Sequence, residues 1–233
     1  VLLEILYEDN HLLAVAKPPG LPTQGAAAGR NSLLVQAKNY LRRKYHKPGN
    51  IYLGVVSRLD LPTSGVVLFA RTSKAAARLS QQFRNRHVEK TYWAVVEGAM
   101  DPPAAECTDW LAKDERNQRM VIVSKPGNDS IPKNRVKSAA QAQEARLQYR
   151  RVKALPQASL LEIMLETGRK HQIRVQLAAR GYPIIGDRKY GSRRVFADGI
   201  ALHCRRLVVE HPVKKTPLEL IAPPPKAWKQ FAK

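Results

Sequence analysis

Apolar residues recur along this chain in two rhythms. Leu2 to Tyr7 and Leu12 to Ala16 are short apolar runs joined at Glu8-Asp9-Asn10, which predicts a hairpin. From Ser32 the rhythm turns helical. Leu33, Leu34, Ala37, Tyr40 and Leu41 share one face, Ser32 is placed to cap it, and Lys38, Arg42 and Arg43 lie opposite; Pro48-Gly49-Asn50 stops it. Ile51 to Val56 and Val66 to Ala70 predict strands on either side of a Pro-Thr-Ser-Gly turn. A second helix is expected from a Ser73 cap to about Arg86, with Ala76, Leu79 and Phe83 inward. Val88 to Val96 alternates as a strand, Thr91, Trp93 and Val95 to one side and Tyr92 and Ala94 to the other.

The second half is less regular. Residues 105–150 read as β-rich, with a basic, polar loop from Ser124 to Ser138 whose role the pattern does not reveal. Glu144 to Val152 and Leu160 to Glu166 predict strands parted by a loop at Ala154-Leu155-Pro156. Lys170 to Arg180 predicts a helix with Gly181 just past its end. Ile200 to Val209 and Leu218 to Ala222 predict the last strands. Helices and strands are mixed, the turns are short, and neither a repeat nor a low-complexity linker divides the chain. The expectation is an α+β fold, one domain over residues 1–233, built on a mixed, largely antiparallel sheet with flanking helices.

Composition narrows the function. The 233 residues, 44% of them hydrophobic, suffice for a proper core. Forty Lys and Arg against 19 Asp and Glu leave a net charge of +21, which points to a polyanionic partner, because each neutralised phosphate releases counterions. No run of 18 apolar residues and no secretory leader is present, so no membrane role is expected. Cys107 and Cys204 lack CxxC spacing, which argues against a zinc site or disulfide framework and fits a reducing, cytoplasmic setting. A basic monomer is the default.

Three islands carry candidate chemistry. Arg58 and Asp60 sit two apart in the turn of Ser57-Arg58-Leu59-Asp60-Leu61-Pro62-Thr63-Ser64-Gly65, where an extended backbone sends both to one side. The alternative is a surface turn in which Arg58 is itself the partner of Asp60. Thr167-Gly168-Arg169-Lys170-His171-Gln172-Ile173-Arg174 is a strand-to-helix junction, and a helix start favours anions. Arg174 could reach a buried carboxylate; the plainer reading is a basic helix start on the surface. Lys90-Thr91-Tyr92-Trp93-Ala94 places Tyr92 opposite Trp93, where a Tyr serves the core unless it faces Asp60. Nucleotide chemistry uses these types together: an ionised Asp, an Arg that keeps it charged, a Tyr that stacks or moves a proton, and an Arg that fills the gap left by an extruded base.

Through these islands and the blocks around them, the chain resembles the RluA-type pseudouridine synthases. Ile5-Leu6-Tyr7-Glu8-Asp9-Asn10 through Lys17-Pro18-Pro19-Gly20-Leu21 is similar to their opening strand pair and loop. Arg58 to Gly65 matches the signature around their catalytic Asp, and Lys90 to Gly98 their Tyr-bearing strand. Thr167 to Arg174 with Gly181 to Asp187, then Ala201 to Leu207 with His211-Pro212, match the later blocks. Two departures stand out: Ser57 replaces the family's usual His, and 233 residues leave no room for the S4-type RNA-binding domain of longer members. The resemblance implies isomerisation of uridine to pseudouridine in ribosomal or transfer RNA, with no cofactor and no metal. It implies Asp60 as catalytic carboxylate, as nucleophile or as base, Arg174 as its counter-ion, Tyr92 against the uracil and Arg58 in the vacated place. Arg169, Lys170 and His171 become substrate-binding candidates, and Leu207 an apolar pocket contact. Lys38, Arg42, Arg43, Arg188, Lys189, Arg193 and Arg194 extend the candidate RNA footprint. A catalytically silent RNA-binding protein, a DNA-binding protein and a membrane-surface protein are the rivals; the paired acid, the absence of a DNA-binding motif and the short apolar stripes disfavour them in turn.

Overall fold

The computed structural model describes residues 3–25, 31–46, 48–125 and 141–232. The expected basic loop from Ser124 to Ser138 falls largely outside them. The chain divides into two compact units, Val1–Thr91 with His203–Lys229, and Tyr92–Leu202 with Gln230–Lys233.

In the first unit, β1 (Glu4–Glu8) and β2 (Leu12–Lys17) form the expected hairpin, and β2 continues antiparallel onto β4 (Ser64–Ala70). The hairpin turn is held by Asp9, whose Oδ1 accepts from the amides of His11 and Leu12 and whose Oδ2 accepts from Tyr7 and the buried His211. Burial opposes ionisation, but these donors outweigh it and hold the Asp9 carboxyl down at about 2. The His211-Pro212 pair of the last motif block is thus a strut beneath the hairpin. Helix α1 (Leu33–Lys44) starts at Ser32, whose Oγ accepts from Val35 N at 3.3 Å, as expected. It buries Leu33, Ala37 and Leu41 against Leu13, Val15, Val67 and Phe69. Helix α2 (Ser73–Arg84) is capped by Thr72, one residue before the expected Ser73: Thr72 Oγ1 accepts from Ala75 N at 3.2 Å.

Only Gly54–Val55 of the apolar run before the Asp60 turn is strand (β3), paired to the end of β4. All of β4 is buried, so its apolar run is continuous rather than alternating. Strand β10 (Leu202–Glu210) runs parallel to β4 and antiparallel to β11 (Pro217–Ile221). At the parallel pairing the backbone of Gly65 adopts φ +121°, and a Cβ there would stand 2.2 Å from the carbonyl oxygen of Cys204. Only glycine lets β4 enter the sheet directly after the Asp60 turn.

The second unit is built on strands in the order β5 (Glu89–Glu97), β9 (Ala158–Leu165), β8 (Gln143–Leu155), β6 (Ala104–Asp114), β7 (Arg119–Val123). The last four pair antiparallel. The irregular stretch after residue 105 is therefore a hairpin, β6–β7, added to the β8–β9 ribbon. That ribbon turns in two residues at Pro156-Gln157, with Gln157 at φ 53°, so Ala154 and Leu155 belong to a strand and not to the expected loop. Helix α3 is shorter than expected, Gln172–Ala179, because His171 is left-handed at φ 54° and cannot be part of it. Gly181, at φ +86°, follows its end as anticipated. Residues Gln172 to Leu177 are all buried, which explains why α3 lacks an amphipathic stripe. The mixed, mostly antiparallel sheet with few helices is the expected α+β fold.

His203 gives the first unit a pH-sensitive joint. Its ring is buried between Ser64 Oγ at 2.9 Å and the Ala222 carbonyl at 3.0 Å, and burial draws its pKa down to about 4. The unfolded chain takes up this proton near pH 6.5 and the folded chain only near 4, so stability falls as pH drops through that window, by about 3 kcal/mol in all. Urea midpoints measured from pH 7 to pH 4 should decline, and His203→Asn should flatten the decline attributable to this site. An unchanged slope would remove His203 as its source.

Candidate active site

The Asp60 turn belongs to the first unit and is gripped by the stiff segment after β2. Thr23 Oγ1 donates to Leu59 O at 3.1 Å and accepts from Leu59 N at 3.2 Å. Gly20 N donates to Leu61 O at 2.9 Å, and Lys17 Nζ reaches the same carbonyl at 3.1 Å and Pro18 O at 2.9 Å. Thr63 N closes onto Asp60 O at 3.1 Å. The backbone is thus pinned immediately before and after Asp60, whose side chain is half-buried, while Arg58 is exposed. Ser57, in place of the expected His, accepts from Leu68 N at 3.0 Å through Oγ and ties the turn to β4. Leu207 is buried on β10, opposite Leu220 of β11.

Lys17 is a residue that sequence reasoning quoted but gave no role. It is only 1% exposed. Burial draws its ammonium down to about 8, and the negative charge of Asp60 opposes the fall. At pH 7 the group remains mainly protonated, a cation under the turn beside the carboxylate. The available signal was a Lys inside an otherwise apolar strand end.

The other candidates lie in the second unit. Tyr92 is 9% exposed on β5. The junction before α3 is organised by buried Gln172, which accepts from Thr167 Oγ1 at 2.8 Å and Arg169 N at 3.0 Å and donates to Arg146 O at 3.0 Å. Arg169 is half-buried with Nε on Glu144 O at 3.0 Å, and Lys170 is exposed. Arg174 is buried and bonds Asp187 through two parallel contacts, Nε to Oδ2 at 2.7 Å and Nη2 to Oδ1 at 2.9 Å. The carboxylate that Arg174 is shown to bond is thus Asp187, within the same unit, a partner that sequence reasoning did not name. Its signal was an isolated acid, Gly186-Asp187, ahead of the cations Arg188, Lys189, Arg193 and Arg194. Glu97 at the end of β5 gathers the amides of Arg193 and Arg194, both at 2.9 Å, and so shapes the loop that displays them.

Among the described residues no group of His, Cys, Asp and Glu is arranged to hold a metal. The first unit presents a pinned, half-buried carboxylate, and the second, taken by itself, a buried Tyr, a doubly bonded Arg and exposed cations. Residues 11–179 match the family described as RNA pseudouridylate synthase, a span that includes Asp60, Tyr92 and Arg174. The chain is 33% identical over 232 residues to an uncharacterized RNA pseudouridine synthase of Bacillus subtilis, covering 99% of this chain and 72% of that protein. It is 33% identical over 237 residues to the ribosomal large subunit pseudouridine synthase D of Xylella fastidiosa, covering 96% of this chain and 66% of the relative. The solved structure of human RNA pseudouridylate synthase domain containing 4 superposes with a TM-score of 0.78 at 24% identity, over 98% of this chain and 93% of that one, which establishes a shared fold. The chain belongs to the RNA pseudouridylate synthase family, as an RluA-type member, and is an enzyme of the class that isomerises uridine in RNA.

The clamp on the Asp60 turn can be loosened with Asp60 itself left in place. Lys17→Met keeps the stem of the side chain but removes a charge-assisted donor to Leu61 O, an interaction worth about 1.5–3 kcal/mol. Single-turnover release of tritium from uracil C5 should slow by roughly tenfold or more. Wild-type rates in a folded Lys17→Met protein would show that the clamp does not serve the turn.

Proposed function

We propose that this chain isomerises uridine to pseudouridine with Asp60 as the catalytic carboxylate and Arg174 as its counter-ion. The observation that carries the reading is the family match over residues 11–179, a span that takes in Asp60, Tyr92 and Arg174. The pinned backbone around Asp60 supports it, because a group that acts on one atom of a nucleoside must be held to within a fraction of an ångström. The uracil is detached from C1′, turned and rejoined through C5. Asp60 acts at the sugar, as nucleophile or as base. Tyr92 stacks on the uracil and assists loss of the C5 proton. The bond to Asp187 uses Nε and Nη2 of Arg174, so Asp187 sets the plane of the guanidinium that serves Asp60.

A base inside a stem cannot turn in place, so the target uridine is flipped out. Arg58, exposed on the Asp60 turn, takes its position in the RNA. Exposed Arg42, Arg43, Lys170, Arg188, Lys189, Arg193 and Arg194 supply the phosphate contacts, with half-buried Lys38 and Arg169 beside them, and Leu207 backs the pocket. Ribosomal RNA is the first substrate class to test, since named relatives act on the large ribosomal subunit; transfer RNA is the second. The reading takes the enzyme to be a cytoplasmic monomer, in keeping with two buried free cysteines and, among the described residues, no helix able to cross a membrane.

Asp60→Asn should abolish tritium release from RNA labelled at uracil C5, while filter binding holds the RNA within about twofold of wild type. Turnover by this variant at the normal rate would exclude Asp60 from the chemistry. Absence of release by the wild type from any cellular RNA would exclude the activity.

A further inference from the structure

Tyr190 joins three parts of the second unit through one side chain. It ends a short 3-10 turn, Arg188–Tyr190, three residues after Asp187, and is 8% exposed. Its hydroxyl lies 3.0 Å from Met120 N on β7 and 2.8 Å from His171 Nδ1. Its ring meets the imidazole edge-on, with centroids 5.6 Å apart and planes at 89°, and carries the Arg174 guanidinium carbon 5.1 Å from its centre. Leu111, Ala145 and Val175 share one buried cluster with it. The neighbouring Lys189 Nζ bonds Gln118 O at 2.5 Å, so the 3-10 turn grips β7 and the turn before it at two points.

A backbone amide can only donate, so the Tyr190 oxygen accepts from Met120. That leaves the oxygen one lone pair and its own proton for His171 Nδ1, and where the phenol donates, Nδ1 accepts. A neutral imidazole whose Nδ1 accepts carries its hydrogen on Nε2. His171 is not spent on its own helix: it precedes α3 in a left-handed conformation with no side-chain capping bond. Such backbone costs about 1 kcal/mol or more in a non-glycine residue and persists where its surroundings impose it. Here the imposed result is a ring locked at the helix start, between half-buried Arg169 with exposed Lys170 and the Arg174–Asp187 pair.

We propose that Tyr190 is a positioning residue of the RNA site: its hydroxyl fixes His171 as an Nε2–H donor to a phosphate or carbonyl oxygen of the RNA, and its ring carries the Arg174 guanidinium. The proposal rests on the functional reading above and adds to it a residue outside the Asp60, Tyr92 and Arg174 set. It also gives the β6–β7 hairpin a task, since Met120 N donates to the phenol oxygen and holds it beside His171.

The test separates positioning from mere stability. In the full-length protein, nitrogen-15 spectra of the His171 ring should show the Nε2–H tautomer in wild type and a mixture of tautomers in Tyr190→Phe. Tyr190→Phe and His171→Ala should each raise KM for RNA by roughly tenfold with kcat within about threefold, and the double variant should be no worse than His171→Ala alone. Tyr190→Leu, which also removes the ring, should lower kcat as well. Additive losses in the double variant, an unchanged tautomer in Tyr190→Phe, or wild-type kinetics for that variant would overturn the proposal. If wild type turns over no RNA, the proposed activity falls, and the same cycle read as RNA affinity by filter binding, with the tautomer spectra, still decides the role of Tyr190.

Discussion

The buried ion pair of Arg174 with Asp187 is the constraint around which the second unit is arranged. Two charges placed in the interior are tolerated only when geometry and further hydrogen bonds repay their lost hydration. Here the two parallel bonds repay it, and the side chains are 5% and 1% exposed. The pair joins the first turn of α3 to the loop after Gly186, across thirteen residues of chain. The 3-10 turn and the seat of Tyr190 lie in the loop so held, while Glu97 gathers the 193–194 amides at its far end. Removing either partner leaves the other charge buried alone, at a cost of about 3–5 kcal/mol. The same geometry gives the guanidinium a fixed plane, which the counter-ion role proposed for Arg174 requires.

The first unit solves a different problem, that of holding a carboxylate on a turn. Turns are ordinarily mobile because few of their backbone groups are satisfied locally. The Asp60 turn has Leu59 closed by Thr23, Leu61 closed by Gly20 and Lys17, and its own carbonyl closed by Thr63. Its exit is tied to β10 through Gly65, where no side chain fits. The proline-rich segment after β2 is therefore a brace, and its stiffness is the useful property. Lys17 adds a cation to that brace without exposing it to solvent.

The charge of the chain and the geometry of the site answer separate needs. Exposed cations attract a polyanion of any sequence. The few acids, by contrast, are placed: Asp9 at a hairpin, Glu97 under the 193–194 amides, Asp187 on Arg174, Asp60 on the pinned turn. In a chain with 19 acids against 40 bases, each buried or half-buried carboxylate is worth explaining. Three of these four hold structure, and Asp60 is the one to which the proposed function gives a part at the substrate.

Much of this was legible beforehand. Local rules placed both hairpin strands, the Ser32 cap, the end of α3 at Gly181 and the α+β class, because capping, turn chemistry and periodicity act over a few residues. They slipped by one residue at Thr72, where two neighbouring hydroxyls compete for one cap, and by two at the start of α3, where His171 turns left-handed. They read a loop where β8 and β9 turn in two residues, since Pro156 masks how far the strands continue. The motif residues Asp60, Tyr92 and Arg174 were recognisable as types in an order. That Arg174 bonds Asp187, that Lys17 lies beneath the Asp60 turn and that one phenol serves His171, Met120 and Arg174 were decided only by the tertiary structure. Those contacts join residues far apart along the chain, and no local spacing encodes which distant partners folding will bring within hydrogen-bond reach.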